Sequence, residues 1–287
     1  MISDQVKNPY VKDLCWLVEG HYIEQDFNLG PHWVADVNVR LLELDRDPRA
    51  LVAAISACKS HFLGSYFESL FSFAIANLSD LVICLEHFQI EKDGQTLGEV
   101  DMLVETPNGE LHQFEIAIKF YLERLDLYPH HWIGPNKNDS LLKKVSRARE
   151  HQLLILQTQK GREAISHVAK NRIPHTNLLI FGRLYSALTS RENIDQWLSQ
   201  NERGGWIRVS DLFLLMPYFS YFLTLEKPHW MAAPNINDDF SFFSLQSTYN
   251  LVSYFLRDDR PKHVFLCQSL NETSTEKRSV FIVPDSW

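Results

Sequence analysis

The chain has 287 residues, 45% of them hydrophobic and 22% charged, enough apolar material for a large packed core and too much for wholesale disorder. A net charge of −8 and a pI near 5.8 argue against a protein that coats nucleic acid with a uniformly basic surface, while leaving room for an enzyme with a local basic groove. Four cysteines, at 15, 58, 84 and 267, form no CxxC pair and no zinc-like spacing, which excludes the common structural zinc modules. With no secretory leader in MISDQVKNPY, free thiols point to a reducing, cytoplasmic setting. The apolar run at 212–225 is short for a membrane span and carries Pro217, so no membrane partner is expected.

In chain order, Leu14, Trp16, Leu17 and Tyr22 recur at roughly helical spacing and predict a helix over 10–24. One or two helices are expected over 38–60. A core-facing helix follows over 61–78, on the stripe Leu63, Tyr66, Phe67, Leu70, Phe71, Ala74 and Leu78, with Glu68 at the edge of that stripe. The period then changes. LVICLEHFQIE, LGEVDMLVE and LHQFEIAIKFYL are separated by Asp93–Gly94 and Asn108–Gly109, and predict a three-stranded antiparallel meander. NDSLLKKVSRAREHQLLILQTQ (138–159) reads as a helix capped by Asp139 or Ser140, and 176–188 as a further strand. The last hundred residues, rich in Trp and Phe, form either a second lobe or an extension of the same sheet.

The third strand carries charge where a central strand should be apolar. Alternation puts Phe114, Ile116, Ile118 and Phe120 on one face and Gln113, Glu115, Ala117, Lys119 and Tyr121 on the other. If Pro107–Gly109 is a three-residue loop, Asp101 falls directly opposite Glu115. Two facing carboxylates repel, so a cation should sit between them, and a hard divalent ion such as Mg²⁺ suits two carboxylates plus phosphate oxygens. Lys119 shares that face and would stabilise charge or orient a water near the same point. The plainer explanation is a solvated sheet face, against which stands the apolarity flanking these residues. On the following helix Lys143 and Arg147 share a face able to meet a phosphate backbone, with Lys144, Lys137 and Arg149 nearby and Gln152 at the helix edge. The alternative is a solvated helix face. The histidines, among them His61, His87, His112, His130 and His131, show no ligand spacing, and Trp206 and Trp230 read as packing anchors.

A helix with Glu, a strand with Asp and the next strand with Glu plus Lys resembles the PD-(D/E)XK nuclease superfamily. More narrowly, VKDLCWLVE (11–19), FLGSYFESLF (62–71), LGEVDMLV (97–104), FEIAIKFYL (114–122), HHWIGPNKNDSLLKK (130–144), FGRLY (181–185) and KPHWMAAP (227–234) resemble the bacterial domain of unknown function 1853 family, commonly grouped with those nucleases. The resemblance implies an α/β fold with a restriction-endonuclease-like core of helix, three-stranded meander, helix and strand over 61–190. N-terminal helices would lie over 1–60 and an α+β C-terminal extension over 191–287. It implies Asp101, Glu115, the Ile116 carbonyl and Glu68 as ligands of Mg²⁺ or Mn²⁺, with Glu68, Asp101, Glu115 and Lys119 carrying hydrolysis of nucleic acid, DNA first. Lys143, Lys144, Arg147 and Gln152 would contact that substrate. The usual lysine two residues after the Glu is replaced by Ala117, so Lys119 reads as a migrated lysine, and Val100 stands where a proline is usual. The alternative reading is a nuclease-like fold kept as a catalytically weak or inactive module that binds nucleic acid or protein.

Overall fold

A computed structural model describes residues 2–57, 62–200, 203–235, 238, 240–244, 246, 249–250, 253, 259–270 and 277–287; Cys58 and His61 lie outside them. Asn8 caps α1 (Pro9–Val18) by accepting the N–H groups of Tyr10 and Val11. The helix expected over 10–24 stops early. Gly20 adopts φ +77°, and Tyr22 opens β1 (Tyr22–Gln25) instead of continuing the helix. After α2 (Val37–Arg46) and α3 (Arg49–Ser56), α4 (Leu63–Leu78) buries the stripe its periodicity predicts.

The meander consists of β2 (Val82–Lys92), β3 (Gln95–Glu105) and β4 (Leu111–Glu123). Asp93 and Gly94 both have positive φ, which fits the two-residue turn between Lys92 and Gln95. Thr106 and Glu110 close the three-residue loop, with Gly109 at φ +84°. Next come β5 (Trp132–Ile133) and α5 (Leu141–Arg147). The single helix expected over 138–159 is broken: α5 runs into a π-turn at Ala148–Gln152 and then a 3₁₀ turn at Ile155–Gln157. Leu153, Ile155 and Leu156 are all buried, and three of four successive residues cannot share one α-helical stripe. The chain continues through α6 (Gln159–Ala164), α7 (Ser166–Ala169), β6 (His175–Ala187), α8 (Arg191–Leu198), β7 (Gly204–Arg208), β8 (Tyr221–Thr224), β9 (Ser241–Phe242), β10 (Lys262–Cys267) and β11 (Lys277–Val283).

This mixed α/β chain forms two compact units, Met1–Lys119 with Lys143–Gly182, and Phe120–Leu142 with Arg183–Trp287. Strands β4 and β6 supply residues to both. In the first unit the strand order is β2-β3-β4-β6, with β1 antiparallel to β6. One face is covered by helices: Phe71 of α4 packs edge-on against Phe114, and Phe67 and Phe71 meet Phe181. On the other side Ile155, Leu156, Ile165 and Ala169 pack with Ile90, Leu103 and Leu111. In the second unit β7 lies parallel to β6 and to β11, and β11, β10, β8 and β9 continue antiparallel. Its core gathers Ile194, Trp197, Ile207, Leu212, Val264 and Ile282.

Gly182, at φ +145°, lets β6 approach β4, since a Cβ there would overlap the backbone carbonyl of Lys119. Gly182→Ala is therefore expected to lower stability by more than about 2 kcal/mol, read as a fall in the urea midpoint with m unchanged. Cys15, Cys84 and Cys267 are free thiols, and among the described residues no helix is long and apolar enough to cross a membrane.

Candidate active site

The loop at Pro107–Gly109 sets the register, pairing Met102 with Phe114, Leu103 with Gln113, Val104 with His112 and Glu105 with Leu111. Extended by one step, that register would pair Asp101 with Glu115, but the ladder ends at Met102. The preceding residues of β3 pair with β2, and Asp101 instead accepts the Ile116 N–H through Oδ2 at 2.9 Å. Direct opposition of two carboxylates is unfavourable, and parting the strands replaces it with a backbone donor for one of them. Both carboxylates stay within electrostatic reach of each other at the mouth of the opening.

Glu115 sits on the face of β4 that lies beneath the chain following α5, and only 2% of it is exposed. Lys144, on α5, donates to Glu115 Oε1 at 2.7 Å, and the Gln152 side chain also hydrogen-bonds this carboxylate. Lys144, Ala148 and Gln152 recur every fourth residue, so the stripe that buries Ala148 also brings the ammonium and the amide down onto the sheet. The π-turn releases the Gln152 carbonyl from the helix ladder, and Gln113 Nε2 donates to it at 3.2 Å. Burial, then the charge of Asp101, pushes the Glu115 carboxyl up to about 7, against the pull of Lys144 and Gln152. Asp101 is raised for the same leading reason, with the Ile116 N–H and Lys144 opposing.

Glu68 stands half-buried on α4, its carboxyl raised by burial and by the charges of Glu99 and Glu115, so it belongs to the same acidic neighbourhood. Two neighbours were not singled out by the sequence reading. Glu99 lies two residues before Asp101 on the same face of β3, and His87 Nδ1 meets it at 3.3 Å. Alternation places Glu99 on the Asp101 face, a signal present in the sequence. His87 takes a left-handed backbone, φ 47°, which no periodicity reveals.

The predicted cations separate. Lys143 and Arg147 are exposed on α5, and Lys119 is half-buried on β4. Arg149 is held by Asp26 in a bidentate pair at 3.0 Å, and Lys137, in the second unit, lies 5.5 Å from the centre of the Trp287 ring. Glu115 thus forms its 2.7 Å ion pair with Lys144, a residue of the helix expected to contact substrate.

A family model described as "Domain of unknown function (DUF1853)" matches residues 13–283. The chain belongs to the DUF1853 family. No curated protein and no solved structure matches it. The family match takes in every residue of the carboxylate cluster.

Among the described residues of this DUF1853 chain, no group of three or more His, Cys, Asp or Glu side chains is gathered closely enough to hold a metal ion by itself. The donor set nevertheless suits a hard cation of the Mg²⁺ type, which takes one or two carboxylates and completes its shell with water and substrate oxygens. When both carboxyls are ionised, the Lys144 ammonium balances one of the two. Beside it, Gln113 Oε1 and Gln152 Oε1 are buried acceptors with no partner.

Proposed function

We propose that the chain is a Mg²⁺- or Mn²⁺-dependent phosphodiesterase acting on nucleic acid, DNA first, built on a PD-(D/E)XK, restriction-endonuclease-like core. The observation that carries this reading is Glu115, buried between the Asp101 carboxylate and the Lys144 ammonium where two paired strands part. The element order supports it: α4, then β2, β3 and β4, then α5 and β6.

Asp101, Glu115 and the Ile116 carbonyl would hold the ion, with Glu68 on the rim. A bound ion supplies Lewis acidity and makes its water more acidic. The chain's own residues do the rest. An ammonium has three N–H donors, and Glu115 takes one of Lys144's, leaving the others to orient a water and to offset charge on a phosphate oxygen. Gln152 fixes the Glu115 rotamer, and the Ile116 N–H fixes Asp101. Lys119, on the same face, adds positive charge. Lys143 and Arg147 hold the sugar–phosphate backbone in register without reading its sequence.

The alternative, a module on the same fold that binds without cleaving, draws on a specific observation. The 2.7 Å ion pair already occupies one carboxylate oxygen, and no third carboxylate is close enough to complete a metal-binding group among the described residues. Calorimetric titration with Mg²⁺ or Mn²⁺, paired with cleavage of labelled DNA and RNA, separates the two. The nuclease reading expects wild type to bind and cleave, while Asp101→Asn weakens metal binding at least tenfold and cleavage by about 10²-fold or more. Metal binding without cleavage favours the module, and absence of metal binding in wild type overturns the site.

A further inference from the structure

The second unit carries a surface that the carboxylate site does not use. A 3₁₀ turn at Leu125–Leu127 leaves Leu125 70% and Tyr128 77% exposed. The Tyr128 ring stacks on His131, with centroids 5.4 Å apart and planes 20° from parallel. His131 leads on to Trp132 at 5.7 Å, and the Arg203 guanidinium lies 5.4 Å from the Trp132 ring centre. Three aromatic rings and a guanidinium therefore follow one another, Tyr128 and His131 stacked, His131 and Trp132 tilted by 45°, and Arg203 over Trp132. Tyr128 is exposed, and His131 and Trp132 are half-buried beside it, so the run presents ring surface at the exterior of the unit.

Arg203 also lines a cavity of about 720 Å³, with Glu123, Ser186, Asn193, Gln196 and Gln200 around it. The two features share a frame. Trp132 pairs with Glu123 in the β4–β5 ladder, and the Trp197 Nε1–H donates to the Arg203 carbonyl at 2.9 Å. The cavity falls within the size range of small-ligand sites, and its lining narrows the occupant. An apolar ligand would strand the amides. A strongly anionic one would meet Glu123 with a single lining arginine in compensation. Side-chain amides present donor and acceptor together, which suits the edge of a neutral, planar, hydrogen-bonding group such as a nucleobase.

We propose that the second unit binds single-stranded nucleic acid, stacking bases on Tyr128, His131, Trp132 and Arg203 and lodging one base in the adjoining cavity. Stacking of this type tolerates any sequence, because every base has a π-face, and it requires unpaired bases, because a duplex hides them. The choice of ligand class rests on the nucleic-acid reading above; the surface itself does not depend on the carboxylate site.

The test is fluorescence anisotropy of a labelled mixed-sequence oligonucleotide, roughly 12 nucleotides long, titrated with the full chain in EDTA so that metal and cleavage play no part. The single strand should bind at least tenfold more tightly than an abasic strand of equal length or the matching duplex. Tyr128→Ala and Arg203→Gln should each weaken binding about tenfold, Gln196→Ala less, and Tyr128→Phe should restore it, because the ring and not the hydroxyl is used. Tyr128→Ala should leave Mg²⁺ binding measured by calorimetry unchanged, so failure here and failure of the metal site are read separately. Equal binding of abasic and normal strands, or wild-type affinity in Tyr128→Ala, overturns the proposal. So does binding of a nucleoside monophosphate without binding of the oligonucleotide, which would assign the cavity to a small ligand.

Discussion

Lys144→Met should destabilise the first unit by about 3 kcal/mol at pH 8 and far less at pH 5, read as urea midpoints in EDTA. Methionine retains most of the lysine stem and its packing, so the change removes the ammonium more than the volume. The Lys144 side chain is 16% exposed and that of Glu115 3%, which takes the pair out of the class of surface ion pairs worth little. Without the ammonium, two neighbouring carboxyls remain in a poorly solvated place. Above pH 7 they must either ionise unpaired or hold protons against the solution, and both cost stability. At pH 5 the Glu115 carboxyl, raised to about 7, is already protonated in the folded chain, so Lys144 has less charge to neutralise and its removal costs less. The same substitution should cut cleavage by about 10²-fold, the usual loss when a group that stabilises transition-state charge is deleted. Lys119→Ala is the companion variant. A larger loss there than at Lys144 would return the catalytic lysine to the strand.

Why the lysine was assigned to Lys119 is physical. Strand alternation is a strict period of two, so Glu115, Ala117 and Lys119 can be placed on one face from the sequence alone; burial does not separate the faces here, since Glu115 is buried along with Phe114 and Ile116. Turn residues fixed the hairpin register equally well, because Asn108–Gly109 and Asp93–Gly94 leave few loop geometries. What alternation cannot register is the end of the β3–β4 ladder at Met102, beyond which the Asp101 side chain takes the Ile116 N–H. Nor could a helical wheel drawn over 138–159 survive the π-turn at Ala148–Gln152. Lys143 and Arg147 do share an exposed face, as their spacing says, while the Lys144–Ala148–Gln152 stripe was legible as the inward side but went unread. The early end of α1 lay with Gly20, a residue that a periodicity count passes over. The second unit was least legible because residues 120–142 belong with the chain after 183, a long-range association that local pattern does not encode.

Glu115→Gln should separate stability from function in opposite directions. Burial and Asp101 push the Glu115 carboxyl up to about 7 from an ordinary 4.5, so between those values the folded chain holds a proton that the unfolded chain has released. The stabilising contribution of that proton is full below about pH 4.5 and is lost as pH rises through 7, amounting to at most about 3 kcal/mol. Glutamine does not titrate, still offers Lys144 an acceptor, and fits the same space. In EDTA, the stability of wild type relative to the variant should therefore decline steadily from pH 4.5 to 7.5 and level off beyond, in urea unfolding at each pH. The variant should meanwhile lose Mg²⁺ binding and cleavage, because an amide cannot replace a carboxylate as a hard-cation ligand of full charge. A gain in stability at pH 8 together with loss of activity is the signature of a group retained at a folding cost for its chemistry. A difference curve that stays flat across this range would mean that Glu115 titrates like an exposed glutamate. The strained acidic cluster, and with it the main reason to place a cation there, would then be gone.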